Sequence, residues 1–300
     1  MGKYYRFKLG KFDCACISDG DVNYPVASYF KNVPPERVTA ILQEFNLPTT
    51  HVYSPYTLLF VDTGSHKVLV DTGAGRLGQQ IKELFREVDN SGIEAGFAVQ
   101  SLREAGIQPE EIDTVIITHA HPDHIGGNLN ESDELNLPNA QYYIWQSEWD
   151  FWFSDEETAN TPPLFVQIAR ANLTPVRSRV TFIEPDREIV PGLTAIPTPG
   201  HTPGHIALSI VSNKAELLHV SDAVIHPVHL RYPDILLPYD ILPEQTLASR
   251  RAICDRAVSS QALVFGHHFP PYPNLGHITQ QGNVWGWEPL SLAERQSDTV

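Results

Sequence analysis

The sequence is poor in cysteine, in basic residues and in long hydrophobic runs, and each shortage excludes a class of protein. Only three of its 300 residues are cysteines, Cys14, Cys16 and Cys254, and so small an odd number does not support a disulfide framework. No apolar run approaches the ~18 residues that cross a bilayer, and the first residues lack the apolar core of a signal peptide. We therefore expect a cytoplasmic protein.

Basic charge is scarce relative to acidic charge. Lysine and arginine number 21 against 36 aspartates and glutamates, which gives a net charge of −15. A surface of this charge repels the phosphates of nucleic acids and of anionic membranes. The hydrophobic fraction of 42% is nevertheless enough for a large folded core. We expect a globular protein that acts on a small-molecule substrate, with neither nucleic acid nor membrane as a partner.

Short strands interrupted by helical patterns make up most of the chain. Residues 114–118 form a continuous β-branched run, as expected of a strand buried on both faces. Similar runs lie at residues 57–61, 67–70, 140–145, 194–197, 207–211, 217–220 and 262–265. Helical periodicity separates some of them, for example at Ile81, Leu84 and Phe85. The pattern predicts an α+β fold, a single domain over residues 1–300 in which a β-sandwich carries helices on its outer faces.

Two segments interrupt this pattern. Residues 20–57 are punctuated by prolines and contain one short helical stretch at about 36–45, which is typical of an N-terminal arm or lid. Residues 148–180 are an insertion rich in Trp, Phe and Pro. Together they could wall a pocket, and the arm could clasp a second subunit in a homodimer. The tail after about Gly276 is expected to be irregular.

The thirteen histidines are unevenly distributed. Four potential metal ligands, His119, His121, Asp123 and His124, fall within six residues, directly after the predicted strand at 114–118. Burying such a cluster without compensation would cost considerable free energy, and a divalent cation is the natural compensation. Neutral imidazoles and a carboxylate match borderline cations such as zinc. A solvated polar loop is the alternative, but the spacing fits a metal site better.

Further candidate ligands follow other predicted strands. His201 lies in a turn restricted by prolines and glycines, Asp222 follows the strand at 217–220, and His267 follows the strand at 262–265. Each by itself is more typical of a hydrogen-bonded loop residue. Together with the cluster they supply enough ligands for two ions, since a catalytic site needs about three protein ligands and a water. His268 directly follows His267, and either could be the last ligand.

These motifs resemble, position by position, those of the metallo-β-lactamase superfamily. The match spans about residues 57–268 and consists of Val70-Asp71-Thr72-Gly73, His119-X-His121-X-Asp123-His124, Gly200-His201, Ser221-Asp222 and Gly266-His267. Within the superfamily the sequence looks most like methyl parathion hydrolase and the quorum-quenching N-acyl homoserine lactonases. The resemblance implies a four-layer αββα sandwich with the site at one of its edges.

The resemblance also assigns roles to these residues. One metal ion would be held by His119, His121 and His201, the other by Asp123, His124 and His267, with Asp222 bridging the two. The family pattern has the last histidine directly after a small residue, which favours His267 over His268. Asp71 would be a structural aspartate. His205 is expected to support a ligand by hydrogen bonding.

Three residues are expected near the substrate: Ile225, His226 and Trp152. Homoserine lactonases usually carry a tyrosine three residues after the bridging aspartate, and Ile225 stands at that position here. The loss of a hydroxyl donor to the substrate carbonyl would favour aryl esters, aromatic lactones and aryl phosphotriesters over acyl homoserine lactones. His226 could line the pocket mouth, and Trp152 could add an apolar wall.

A serine nucleophile is not expected, because no Gly-X-Ser-X-Gly motif is present. The predicted reaction is hydrolysis of a lactone, ester or phosphotriester by a hydroxide that bridges two divalent ions, with Asp123 orienting it and moving its proton. Zinc is the expected metal, and iron, manganese or cobalt would suit the same ligands. The alternatives are a thioester hydrolase of the glyoxalase II type, a mononuclear iron oxidoreductase like persulfide dioxygenase, and a protein whose metals only stabilise the fold.

Overall fold

The computed structural model describes residues 3–184 and 186–291, which form two β-sheets of seven strands each, with helices outside them. The first sheet runs in chain order through β1 (Lys3–Leu9), β2 (Phe12–Pro25), β3 (His51–Asp62), β4 (Lys67–Val70), β5 (Thr114–Ile116), β6 (Gln141–Trp145) and β7 (Val180–Ile183). The second contains β8 (Glu188–Val190), β9 (Leu193–Pro197), β10 (Ile206–Ser212), β11 (Ala215–His219), β12 (Leu263–Phe265), β13 (Leu275–Gln281) and β14 (Val284–Pro289), also adjacent in chain order.

Helices connect the strands and cover the outer faces of the sheets. They are α1 (Pro35–Glu44), α2 (Gly78–Leu84), α3 (Ala98–Glu104), α4 (Pro122–Ile125), α5 (Gln146–Phe153), α6 (Pro163–Leu173), α7 (Val228–Arg231) and α8 (Pro243–Ser260). In the described part of the chain, no helix is both long and apolar enough to cross a membrane. The three cysteines are buried and unpaired.

The apolar core lies between these layers. Leu59 of the first sheet and Leu208 of the second belong to one buried cluster, which fills the space between the sheets. Outside the first sheet, Leu102 of α3 and residues of α5 and α6 form a second cluster. Outside the second sheet, Ile253 of α8 contributes to a third. Because both faces of each sheet are covered, the central strands are continuous apolar runs. The predicted αββα sandwich is confirmed.

The strand directions bring the candidate ligands to one edge of the sandwich. Strands β4, β5, β6 and β7 pair in parallel in the first sheet, as do β11 and β12 in the second. The carboxyl ends of parallel strands meet at the same edge of a sheet. Asp71 follows β4, the histidine cluster follows β5, Asp222 follows β11 and the His267-His268 pair follows β12.

Two expectations about irregular segments were wrong. Residues 20–25 and 51–57 do not belong to a separate arm, because they are paired with each other in β2 and β3; only residues 26–50, with α1, leave the sheet. Prolines suggested otherwise, but Pro25 ends β2, and Pro55 lies opposite Asp21, next to the bulge at Ser18 and Gly20. The tail after Gly276 was expected to be irregular, but residues up to Pro289 form the hairpin of β13 and β14 at the edge of the second sheet, where exposed polar residues hide the strand pattern. Residues 292–300 of this tail lie outside the described residues.

Candidate metal centre

The histidine cluster is shaped by the proline within it. Pro122 occupies the first position of α4, and the residue before a proline is held in extended backbone, as His121 is at φ −72° and ψ 158°. His121 therefore lies in the loop, whereas Asp123 and His124 lie on the short helix. The bend directs side chains from the loop and from the helix toward the same point. Asp71, on the neighbouring loop, adopts the left-handed region at φ 60°, which is uncommon outside glycine and is found at functional sites.

Asp222 lies at the centre of the site, and its carboxylate faces the candidate ligands on several sides. One oxygen, Oδ2, is 3.7 Å from His119 Nε2, 3.3 Å from His201 Nε2 and 3.6 Å from His268 Nε2. The other, Oδ1, is 3.5 Å from His124 Nε2. Asp222 thus lies between both sets of imidazoles, as a bridging ligand would.

The remaining ligand atoms fall into two groups around this carboxylate. Ligand atoms of His119, His121 and His201 lie within 4.8 Å of one another, and His121 Nδ1 is 2.9 Å from His201 Nε2. A second group with the same spacing contains Asp123, His124, His267 and His268. All seven residues expected to be ligands are therefore brought together at one place, along with His268.

Hydrogen bonds on the outer side orient the imidazoles. His124 donates from Nδ1 to Asp71 at 2.8 Å, and His201 donates from Nδ1 to Asp240 at 3.0 Å. Asp71 also accepts from the backbone N–H and the hydroxyl of Thr118. With Nδ1 carrying the proton, the Nε2 lone pairs of His124 and His201 point at Asp222. This is the arrangement in which metal-binding histidines are usually held.

His205 supports the centre through the backbone. Its Nε2 accepts the N–H of Asp222 at 3.1 Å, and its Nδ1 lies 2.8 Å from the Thr198 hydroxyl. The ring is fully buried, and this burial lowers the pKa of His205 to about 3. A neutral His205 can accept that bond across the working pH range, and so hold Asp222 in position.

The buried polar atoms of the centre fit divalent cations. His119 Nε2, His124 Nε2 and Asp222 Oδ1 are buried without a hydrogen-bond partner, which is costly unless another group satisfies them. Burial lowers the pKa of His119 and His121 well below the usual value, so both imidazoles offer lone pairs. Imidazole nitrogens and carboxylate oxygens are ligands that zinc accepts.

The same centre also attracts positive charge. Although burial opposes it, hydrogen bonds to Asp222 and Asp240 raise the pKa of His201 to about 9. Burial likewise opposes the charge of Asp222, but the neighbouring histidines hold the pKa of Asp222 well below its usual range. Protons would occupy this site in the absence of another cation. A dication provides the same compensation with more charge.

The two adjacent histidines after β12 differ in orientation. His268 Nδ1 lies 3.0 Å from the Ser54 hydroxyl and 3.2 Å from the Pro55 carbonyl, which fixes the ring from behind. Its Nε2 is 3.4 Å from Asp123 Oδ2 and faces Asp222. His267 stacks on His124, and neither of its ring nitrogens has a hydrogen-bond partner. Both rings belong to the second group of candidate ligand atoms: His268 faces Asp123 and Asp222, and His267, the ligand expected from the sequence, offers two buried nitrogens without a partner.

Glu148 is a buried residue of the site that the sequence did not reveal. Its Oε1 accepts hydrogen bonds from the Ala120 backbone at 2.8 Å and the Trp152 indole at 2.7 Å. Its Oε2 accepts from the Thr202 hydroxyl at 2.6 Å and the Gly204 backbone at 3.1 Å. Glu148 thus joins the loop of His119 and His121 to the loop of His201. Asp240, the partner of His201, was missed as well, and no local motif marks either residue.

A cavity leads from the surface to the candidate metal ligands. Asp123, Asp222 and His268 line it together with His121 and His201, and the rest of its lining is largely aromatic and aliphatic. The walls come from several parts of the chain: Tyr24, Ser28, Tyr29, Ile81, Leu84, Phe85, Phe165, Ile225, Leu237 and Tyr239.

Only one of the three expected pocket residues lines this cavity. Ile225 does, but His226 lies on a separate cleft beside Phe45 and Trp285, with its ring edge against Tyr29. Trp152 is fully buried in the core outside the first sheet, because its indole N–H is held by Glu148 one helical turn away. The expectations for His226 and Trp152 are therefore corrected.

Comparison with known proteins agrees with the geometry. The model of the metallo-β-lactamase superfamily matches residues 53–268. An N-acyl homoserine lactonase from Bacillus sp. is 29% identical over 167 residues, which are 54% of this chain and 60% of that protein. Another, from Bacillus thuringiensis, is 24% identical over 221 residues, which are 71% of this chain and 81% of that protein. The match to the first of these thus covers only about three fifths of the relative's length.

A solved structure extends the likeness to nearly the whole chain. AidC, described as a dizinc quorum-quenching lactonase in complex with a product, superposes with a TM-score of 0.86 at 25% identity, covering 97% of this chain and 98% of that chain. The family match includes every motif that supplies a candidate ligand, from the histidine cluster to His268. With the sandwich fold and the ligand groups at its edge, this chain belongs to the metallo-β-lactamase superfamily.

Proposed function

We propose that this protein is a hydrolase that uses two divalent metal ions to cleave a lactone, an ester or a phosphotriester. The observation that carries the proposal is the Asp222 carboxylate, whose two oxygens face imidazoles from both ligand groups. One ion would be held by His119, His121 and His201, and the other by Asp123, His124 and His268, with Asp222 shared. The lactonase names of the relatives support a lactone first among these substrates.

Divalent ions held by these residues would supply a water activated for attack near neutral pH, since such ions lower the pKa of bound water to about 7. Residues of the chain prepare this step. Asp71 and Asp240 orient His124 and His201, and His205 holds the backbone of Asp222. Asp123 lies on the cavity with its side chain 14% exposed, where a carboxylate oxygen can orient the attacking water and accept its proton.

We propose zinc as the metal, because each of the two ligand groups offers three or more imidazole and carboxylate ligands. Iron, manganese or cobalt would suit the same ligands. The cavity suits a small, largely apolar substrate: its walls include Phe85, Phe165 and Ile225, and the candidate ligands Asp123 and Asp222 also line it.

The test is a substrate screen with protein shown by elemental analysis to carry two metal ions. Lactones with short and long acyl chains, an aryl ester and an aryl phosphotriester should be compared, with mass spectrometry of the ring-opened hydroxy acid. We expect Asp222→Asn to abolish hydrolysis, because the bridging charge is lost. Asp133→Asn, at an exposed aspartate, is the matched control and should retain activity. Metal-replete protein that hydrolyses none of these substrates would contradict the proposal.

A further inference from the structure

Arg250, on α8, is a charged residue whose side chain is fully buried. In the described part of the chain, its hydrogen bonds go to neutral backbone carbonyls, and its Nη2 is buried without a partner. Burying a charge in this way is costly, and an apolar side chain would cost less at such a position. A contribution to stability is therefore a poor account of this residue, and its partners indicate a different role.

The guanidinium joins the two ends of the segment that follows Asp222. Its Nε donates to the carbonyl of Ala223 at 3.2 Å, directly after the candidate bridging residue. Its Nη1 donates to the carbonyls of Pro233 at 2.8 Å and Ile235 at 2.5 Å. Because the guanidinium is planar and its donors point in fixed directions, these bonds set the distance between the two ends.

The far end of this segment leads to His201. The backbone N–H of Leu237 donates to Asp240 Oδ2 at 2.8 Å, and the other oxygen of Asp240 accepts from His201 Nδ1 at 3.0 Å. His201 Nε2 lies 3.3 Å from Asp222 Oδ2. Arg250 is thus connected by short series of contacts to two candidate ligands that face each other.

Helix α8 also supports the loop of His201 from behind. The hydroxyl of Ser249 donates to the carbonyl of Pro199 at 2.7 Å. Gly200 packs so closely on the helix that a Cβ there would meet Thr246 N at 2.2 Å. One helix therefore contacts the loop before this ligand and, through the guanidinium, the segment after the bridging carboxylate.

We propose that Arg250 is a positioning residue of the metal centre. Its guanidinium fixes the separation between the Asp222 carboxylate and the His201 imidazole, so that both can bind the same ion. The inference rests on the metal-binding part of the proposed function. Arg250 acts through its neighbours and contacts neither the ion nor the substrate. Ligands that are held in position by such supporting contacts bind metal more tightly.

The first experiment measures zinc affinity by competition with a chromophoric chelator. Arg250→Met keeps an unbranched apolar side chain but removes every donor, and it should bind at least one ion about 10- to 100-fold more weakly than the wild type. Arg251→Met is the matched control. Arg251 is the next residue of the helix and reaches the same segment from outside through Asp234 at 2.5 Å, but it is exposed. Its replacement should leave zinc affinity unchanged.

The second experiment separates positioning from a general loss of stability. The visible absorption of protein saturated with cobalt reports the arrangement of the ligands, and Arg250→Met should shift these bands because His201 and Asp222 move apart. Ile253→Ala creates a cavity in the apolar cluster of the same helix and leaves the bonds of Arg250 in place. It should lower the unfolding temperature without changing the cobalt spectrum or the zinc affinity.

A second variant covers the case in which Arg250→Met does not fold. Arg250→Lys keeps the charge, but a single ammonium group cannot span the three carbonyls. Its cobalt bands should therefore shift as well, and an unchanged spectrum would overturn the inference.

An Arg250→Met variant that binds zinc as tightly as Arg251→Met would also overturn the inference. Equal weakening in Ile253→Ala would do the same, since the effect would then come from stability alone. Neither result would affect the proposed hydrolysis. Conversely, wild-type protein that binds two zinc ions but hydrolyses none of the substrates would contradict the proposed hydrolysis and not the role of Arg250.

Discussion

Replacement of Glu148 by glutamine tests how the two ligand loops are held together. The carboxylate accepts four hydrogen bonds, two at each oxygen, and is fully buried. An amide keeps one oxygen and turns an NH2 group toward two of the donors. The less costly orientation turns it toward Thr202, whose hydroxyl can rotate to accept, so that only the Gly204 N–H remains unpaired.

The structure sets the size of the effect. One unpaired buried donor costs about 1–3 kcal/mol, and the remaining bonds lose the strengthening that a charged acceptor provides. Gly204 packs closely on α5, because a Cβ there would meet Glu148 N at 2.1 Å. The strain therefore falls on the loops that carry His121 and His201. Loss of such supporting contacts typically weakens metal binding about 10- to 100-fold.

The assay is competition for zinc with a chromophoric chelator, together with thermal unfolding of the metal-free protein. Glu148→Gln should release one of its two ions at lower chelator concentration and should unfold at a lower temperature. Glu216→Gln is the matched control: this carboxylate also accepts two hydrogen bonds, from Ser209 at 2.6 Å and Arg256 at 3.1 Å, but it is partly exposed and lies outside the candidate ligand groups. If the two variants bind metal equally well, Glu148 does not position the ligands.

Four further outcomes are expected. Elemental analysis of fully loaded protein should give close to two divalent ions per chain; a plateau at one ion would exclude the dinuclear site. His121→Ala should lower activity by orders of magnitude while circular dichroism shows a folded protein. His205→Ala should lower activity less, and an equal loss would mean that His205 is not merely a support for the metal ligands. His268→Ala should remove one ion, whereas His267→Ala should keep both, which titration with zinc will distinguish. Finally, burial raises the pKa of Cys14 to about 12, so a thiol reagent should label none of the cysteines until the protein unfolds.

The fold and the types of ligand could be predicted because they depend on local patterns. The β-branched run at residues 114–118 predicts a strand buried on both faces. The histidines and the aspartate that follow it could be buried only with a compensating partner. Each candidate ligand comes directly at the end of a strand. Strand ends of parallel neighbours meet at one edge, which brings Asp222 after β11 and the His267-His268 pair after β12 together.

The sequence did not specify the direction of individual side chains. His267 and His268 are adjacent, and only the contacts of Ser54 and Pro55 show which ring turns its Nε2 toward Asp123. Ile225 and His226 are adjacent as well, yet they face different cavities. Backbone patterns specify which elements form, but the direction of a loop side chain depends on partners that are distant in the chain.

The sequence by itself determined the αββα architecture and the metal-binding residue types, since hydrophobic periodicity and motif spacing are local properties. Only the tertiary structure revealed Glu148 and Asp240. In the sequence, Glu148 and Asp240 are ordinary acidic residues without a motif around them. Their roles arise from burial beside groups 28 and 39 positions away, Ala120 and His201. Such contacts depend on the packing of the two sheets. Packing excludes water from the site, so each buried polar group must form its hydrogen bonds within the protein.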